Sequence, residues 1–317
     1  MDVSIVIVSF NTSKILDECI VSIKNETTCA YEIIVVDNAS ADESCQMLRE
    51  KFPDVTLIEN SGNVGFARAN NQGFAIAQGK YFFMLNSDTI ILDGAIDRLL
   101  AFMEQNRHVG IVGPRNEELD GILQYSCDHF PSFWNNFCSY TNLTNKFPNV
   151  PIFRRNLMRY WDYGGQREVD KIMGCALMIQ AELYTHLGGL DNSYFMYFEE
   201  TDLCYRVKKS GFKTVYFPAA RIVHYGGASS KAQKELKVVN TVVASYYYRS
   251  QYYFFLKNYG LFSMLAIRAL DMAYGIALML RNIFRADKSK QSLSMAKANA
   301  LLNGALDWTT PKINGVG

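Results

Sequence analysis

Charge of one sign is missing from this chain: 32 lysines and arginines stand against 31 acids, a formal net charge of +1. Nucleic-acid partners usually demand a strong basic excess or patch, so none is expected. Paired cysteines are missing too. Cys19, Cys29, Cys45, Cys127, Cys138, Cys175 and Cys204 are scattered, with no C-x-x-C and no zinc-like spacing, and they read as reduced thiols of a cytoplasmic protein. The opening stretch MDVSIVIVSF has no basic leader, and its apolar part is shorter than a signal sequence or a span needs. It reads as a first strand. The N-x-S/T triplets at Asn11, Asn25, Asn38 and Asn142 are then without meaning as glycosylation sites. No internal repeat and no Walker-type G-K-[ST] occur. After the first strand, where a dinucleotide fold would carry G-x-G-x-x-G, the turn reads SFNTS, which excludes P-loop and dinucleotide chemistry.

What is present is a globular composition, with 49% hydrophobic and 20% charged residues, enough for one large core or two smaller ones. Short β-rich runs (VSIVIVSF, EIIVVDN, VTLIEN, YFFMLN, VGIVGP) alternate with helical patterns. One helix carries Ile15, Leu16, Cys19, Ile20 and Ile23 on one face; others run from Ala67 to Gln78 and from Gly94 to Gln105. Such alternation predicts an α/β domain with a mixed, mainly parallel sheet. From Arg115 to Asp170 the periodicity fades into aromatic and Asn-rich sequence that reads as loops. Order returns at KIMGCALMIQ, a short helix, a helix from Glu199 to Ser210, and strands at KTVYFP and RIVHY. After about Lys231 the pattern is helical, which predicts a boundary near residue 235 and a helical region over 236–317.

In open α/β sheets, ligands bind at the carboxyl ends of the strands. Here those ends are Ser9 and Asn11, Asp37 and Asn38, Asn60 to Gly65 with Phe66 following, and Asn86, Ser87 and Asp88. Each alone reads as an ordinary polar turn, but together they can form one site. Ser40 to Glu43 has the form of a capping box. Asp88 interrupts the apolar run YFFMLNSDTIIL, and a buried carboxylate costs several kcal/mol unless it is paired or coordinates a cation. His224, after the last strand, is the candidate second ligand. In FMYFEETDLCYRVKKSG the acids Glu199, Glu200 and Asp202 suit a helix start, and Lys208, Lys209 and Gly211 suit its end. The aromatic residues before them would desolvate a neighbouring carboxylate and raise its pKa toward that of a useful base.

The ordered series VSIVIVSFN, VVDNAS, NVGFARANNQG, MLNSDT, GCALMI, GGLDNSYFMYFEETDLCYRVKKSGF and IVHYGGASS, over residues 3 to 230, resembles the inverting glycosyltransferases of family 2, of GT-A fold. The resemblance implies a Rossmann-like domain over residues 1–235, with a nucleotide-sugar half (1–115) and an acceptor and base half (116–235). It implies that Asp37 holds the nucleotide base, with Ser9, Asn11 and Asn38 beside it and Gly65, Phe66, Asn86 and Ser87 along the nucleotide sugar. Asp88 would end a D-x-D-like metal motif. Asn86 replaces its first Asp, as in the rhamnosyltransferase-like branch. With His224, Asp88 would hold Mg2+ or Mn2+ against the diphosphate, which Gly226, Gly227 and Ser229 could approach. Glu200 stands where the family's catalytic base is found, with Glu in place of Asp; Glu199, Asp202, Gly174 and Cys175 would serve the acceptor side or support it. The branch makes dTDP-rhamnose the leading donor, ahead of a UDP-hexose, and a bacterial polysaccharide or polyprenyl-linked glycan the leading acceptor.

Two rivals have sequence-level tests. A sugar-1-phosphate nucleotidyltransferase needs a Gly-rich basic first loop, which SFNTS lacks. A non-catalytic nucleotide-sugar-binding protein has no need of Glu200. Residues 259 to 280 are long and apolar enough for a membrane but carry Arg268 and Asp271 centrally, where charge is expensive. The cations Arg281, Arg285, Lys288, Lys290 and Lys297 follow. That pattern predicts a helix lying on the cytoplasmic face of the inner membrane, with an ordinary helical subdomain or an oligomer contact as the alternative.

Overall fold

The computed structural model describes residues 1–147, 150–153, 158–226, 241–283 and 287–308. Gly227, Ser229 and Arg285 lie outside the described residues, as does the side chain of Lys290. The elements run β1 (Val3–Ser9), α1 (Ser13–Glu26), β2 (Tyr31–Asp37), α2 (Ser44–Lys51), β3 (Thr56–Glu59), α3 (Phe66–Ile76), β4 (Tyr81–Asn86), β5 (Thr89–Leu92) and α4 (Ala95–Gln105). Then come β6 (Val109–Glu117), β7 (Leu123–Gln124), β8 (Cys127–Asp128), α5 (Phe133–Tyr140), α6 (Leu143–Lys146), β9 (Arg167–Val169), β10 (Lys171–Ile172), β11 (Ala176–Gln180) and α7 (Ala181–His186). The chain continues with α8 (Glu199–Lys209), β12 (Lys213–His224), α9 (Thr241–Tyr259), α10 (Leu261–Ile283) and α11 (Lys288–Leu306).

The first compact unit, residues 1–130, 155–192 and 199–232, is built on one sheet of order β3-β2-β1-β4-β11-β6-β12-β5. β1 runs parallel to β2 and β4, and β2 to β3. Both faces of these strands are covered, which is why β1 and β2 read as unbroken apolar runs instead of alternating ones. The sheet is mixed because β11 inserts antiparallel between β4 and β6, and β5 closes the far edge antiparallel to β12. The two runs KTVYFP and RIVHY form a single strand, β12, whose register against β6 shifts between Phe217 and Arg221. Pro218, with no N–H to offer the ladder, falls inside that irregularity. On one face Leu16, Ile20 and Ile23 of α1 and Ile96, Leu99 and Met103 of α4 pack with Ile5, Phe83, Val112 and Ile222 of the sheet. That core holds the strand ends in register.

The stretch 115–170, expected as loops, contains β7, β8, β9, α5 and α6. Its strands are two or three residues long, too short to show a period of two. α5 and α6 belong to the second unit, residues 131–154, 193–198 and 233–317, so the grouping differs from a single cut at 235. In this unit the aromatic sequence SYYYRSQYYFFLKNYG makes a core: Tyr252, Tyr253, Phe254 and Phe255 are buried. The Tyr194 ring meets Tyr253 edge-on at 5.0 Å, and Tyr140 stacks on Tyr274 at 4.1 Å.

Among the described residues, α10 alone has the length and hydropathy to cross a membrane. Its buried face is mixed: Met264, Ile267 and Leu278 are buried together with Arg268, Asp271 and Asn282, while Phe262, Leu265, Ile276, Leu280 and Ile283 are exposed. The Arg268 guanidinium donates to the carbonyls of Ala305 and Asp307 and lies over the Tyr252 and Trp308 rings.

Candidate active site

The carboxyl ends of β1, β2 and β4 lie side by side, because β1 pairs with both neighbours in register: Ser9 opposite Asp37, and Val8 opposite Asn86. A buried hydroxyl chain joins them. Ser9 and Thr12 hydroxyls lie 3.1 Å apart, and Thr12 donates to Ser87 Oγ at 3.1 Å. At the end of β2 the Asp37 carboxylate, almost fully buried, accepts the Ser40 N–H at 2.8 Å and the Ser40 hydroxyl. Asn11, in the left-handed region at φ 55°, donates its N–H to Ser40 Oγ and accepts the Ala41 N–H. Ser40 is therefore not the cap of α2. That helix starts at Ser44, whose N–H and hydroxyl both donate to Asp42.

Asn38 anchors the neighbouring turn. Its N–H donates to Ser9 O, its side-chain oxygen accepts from Asn60, and its amide nitrogen reaches Gly65 O at 3.4 Å. Asn60 is tied in turn to Gln72 by a reciprocal amide pair. Gly65 opens α3 at φ 89°, a conformation L side chains rarely adopt, with half-buried Phe66 as the first helical residue.

Asp88 lies between β4 and β5 and is 6% exposed. His224, the last residue of β12, pairs with Thr89 in the sheet, which sets its Nε2 3.3 Å from Asp88 Oδ1. The His224 Nδ1 is 2.6 Å from Gln124 Oε1. Burial opposes a charge on His224, but Cys175 and Asp88 favour it more, and the imidazole is raised to about 10. Buried Cys175 accepts from Asn116 Nδ2 at 2.9 Å, and its carbonyl accepts the Asn86 N–H at 2.8 Å.

Gly174 links this cluster to the acid-rich helix. A Cβ at Gly174 would sit 3.3 Å from Cβ and Cγ of Glu200, so the glycine lets the Glu200 side chain lie against the backbone one residue before Cys175. Glu200 is half-buried and accepts the Thr201 hydroxyl at 2.9 Å. The stronger desolvation falls on its neighbour. Glu199 is 5% exposed, its Oε2 has no partner among the described residues, and burial followed by the charge of Glu200 raises its carboxyl well above the usual range. Asp202 is engaged elsewhere: Arg206 donates to it at 2.7 Å and also to the carbonyls of Leu187 and Gly189, clamping the turn before GGLD into place. Thr12, Asn116 and Gln124 escaped the sequence reading. Thr12 had its place in SFNTS as a signal, whereas Asn116 and Gln124 lie where periodicity fades.

A mainly parallel sheet of this topology, with its polar strand ends gathered side by side, has the GT-A fold. Solved structures of that fold are similar. GalNAc-T7 with UDP, GalNAc and Mn2+ superposes with TM-score 0.54 at 16% identity, over 71% of this chain and 44% of that one. The mannosyltransferase PcManGT from Pyrobaculum calidifontis, in complex with GDP-Man and Mn2+, does so with TM-score 0.52 at 15% identity, over 96% and 72%. Residues 4–161 match the family described as Glycosyl transferase family 2, and residues 156–228 match the N-terminal domain of galactosyltransferase. The chain belongs to the family 2 glycosyltransferases and is rhamnosyltransferase-like. It is 26% identical over 242 residues to N-acetylglucosaminyl-diphospho-decaprenol L-rhamnosyltransferase of Mycobacterium tuberculosis, covering 71% of this chain and 76% of that protein. It is 26% identical over 208 residues to the rhamnosyltransferase WbbL of Escherichia coli, covering 62% and 73%.

Proposed function

We propose that the enzyme is an inverting glycosyltransferase that moves rhamnose from dTDP-rhamnose to a polyprenyl-linked or polysaccharide acceptor, with a UDP-hexose as the alternative donor. The observation that supports the reading is the closeness of Glu200 to Gly174, because the next residue, Cys175, accepts the Asn86 N–H through its carbonyl at 2.8 Å. A base and a diphosphate-binding end are thus one backbone step apart. The rhamnosyl donor and lipid-linked acceptor rest on the relatives' activities.

In this mechanism Asp37, with Ser40 and Asn11 ordering its loop, binds the nucleotide base, and the buried Ser9–Thr12–Ser87 hydroxyls pack beside it. Glu200 accepts the proton of an acceptor hydroxyl. The acceptor oxygen then bonds to the anomeric carbon from the face opposite the diphosphate, the carbon–oxygen bond to the diphosphate breaks, and the configuration inverts. The donor set fits a divalent cation in one specific way. No group of three or more His, Cys, Asp or Glu side chains among the described residues could hold one, and Asp88 with His224 supplies two ligands, leaving the rest to phosphate oxygens. Mg2+ or Mn2+ bound there would neutralise the charge growing on the leaving diphosphate.

The experiment is a donor screen of nucleotide sugars with Mg2+ or Mn2+, reading nucleoside diphosphate release and the anomeric configuration of the product. dTDP-rhamnose should give the highest kcat/KM and an inverted product. A retained configuration would end the single-displacement reading, and absence of turnover with every donor and lipid-linked acceptor would favour a binding protein.

The same reading puts the enzyme on the cytoplasmic membrane face. The exposed apolar residues of α10 support this: Arg268 and Asp271 are buried and hydrogen-bonded inside the second unit, while Phe262, Leu265, Ile276, Leu280 and Ile283 are exposed. Exposed Arg281, Lys288 and Lys297 on that unit would add about 1 kcal/mol each near anionic lipid. Removing everything from 259 onward would destroy the unit, since Asp271 is bonded to Tyr140 and Gln251. Surface changes are the better test. Phe262→Glu with Ile276→Glu should abolish sedimentation with anionic liposomes at low salt; unchanged sedimentation, or loss of a dimer instead, would assign these residues to a second copy.

A further inference from the structure

Resting on the reading that Asp88 and His224 hold a divalent cation, we infer that Gln124 is a positioning residue that prepares His224 as the ligand. An imidazole binds metal through one nitrogen, and the hydrogen bond made by the other sets both tautomer and ring orientation and so tunes the affinity. His224 shows that arrangement. Its Nδ1 lies 2.6 Å from Gln124 Oε1, so Nδ1–H is the donor, and Nε2 is left facing Asp88 Oδ1 at 3.3 Å.

The fold makes Gln124 hard to replace by a neighbour. β7 is two residues long and pairs antiparallel with β6, placing Gln124 opposite Asn116. Asn116 spends its own amide on Cys175, on the other side of the cluster. Two adjacent ladder positions therefore steady two adjacent groups of the site: Asn116 the thiol, Gln124 the imidazole. The Gln124 amide nitrogen also lies against Gly226, where an added Cβ would meet it at 3.2 Å. Gly226 has φ 64°, a conformation that favours glycine.

The test is the affinity for Mn2+ in the presence of dTDP, read from the electron paramagnetic resonance signal of free Mn2+, with thermal melting in parallel. Gln124→Leu keeps the bulk and removes the acceptor, and should weaken Mn2+ binding by roughly 10- to 100-fold. Gln124→Glu restores an acceptor for Nδ1–H and should bind within a few-fold of the wild type. A purely architectural Gln124 would lower the melting temperature in both variants without separating their Mn2+ affinities, and that outcome overturns the inference. Wild-type affinity in Gln124→Leu overturns it as well. If the wild-type protein with dTDP takes up no Mn2+, the metal reading itself falls, an outcome recognisable without any variant.

Discussion

Two buried aspartates, one in each unit, differ in the chemistry of the groups around them. Asp271, in the middle of α10, is fully buried and accepts hydrogen bonds from Tyr140, Gln251 and Tyr252 at 2.7 to 2.9 Å. Those donors are a fixed amide and two phenols whose own ionisation is pushed far up by burial. Asp88 is almost as buried, but it ends a strand and faces the imidazole of His224. An imidazole can exchange a proton for a cation; a phenol in an aromatic core cannot. Burial by itself therefore identifies neither, and the chemistry of the partner does.

The comparison predicts opposite responses to substitution. The largest effects on turnover belong to the strand-end site. Glu200→Gln should lower kcat by roughly 10²–10⁴ while nucleotide binding survives, and near-normal turnover would transfer the proton-accepting role to Glu199. Asp88→Asn should lower kcat by about 10³, the equivalent of a few kcal/mol of charge stabilisation, with no loss of melting temperature. Full wild-type activity in excess chelator would remove the cation from the mechanism.

In the helical unit the same type of change should act on stability instead. Asp271→Leu leaves two hydroxyls and an amide without their acceptor, each worth about 1–3 kcal/mol when buried, so denaturant melts should show a loss on the order of 3–5 kcal/mol. Turnover per folded molecule should change little. A variant as stable as the wild type would show that these hydrogen bonds contribute nothing net.

The smallest effect is a pH dependence. Burial raises Asp271 to about 6 against the opposing hydrogen bonds of Tyr140, Tyr252 and Gln251. The folded state thus binds its proton more tightly than the unfolded chain. The corresponding stability is fully present below about pH 4, declines as pH rises through about 6, and has an upper bound near 3 kcal/mol at 1.36 kcal/mol per unit. Asp271→Asn removes this titration, so the stability of wild type relative to that variant should fall between pH 4 and 7. A difference that stays flat across the window would mean that the carboxyl titrates as it does in the unfolded chain.

The first part of the sheet, residues 1–115, was the more legible. Apolar runs punctuated by Asp37, Asn38, Asn86 and Asp88 predict parallel strands with polar ends, and β1, β2 and β4 meet there in register. Helix α8 was legible as well, with acids in its first turn and Arg206, Lys208 and Lys209 in its last. The central charges of α10 were visible and argued against a membrane crossing, but periodicity reports which residues share a face and not which face the protein covers. Here Arg268 and Asp271 are covered together with Met264, Ile267 and Leu278.

The sequence by itself determined the strands, the helices and the residue types at each strand end, since backbone propensity, side-chain period and turn chemistry are local. Only the tertiary structure decided which partners those residues acquire. Ser40 reads locally as a helix cap, yet binds Asp37; Asp202 reads as one of three equivalent acids, yet is held by Arg206; Gln124 carries no local signal, yet touches His224 from 100 residues away. Those pairings depend on β11 entering the sheet antiparallel and β7 pairing back on β6, contacts whose stability comes from burial shared across the whole core and from no single stretch of chain.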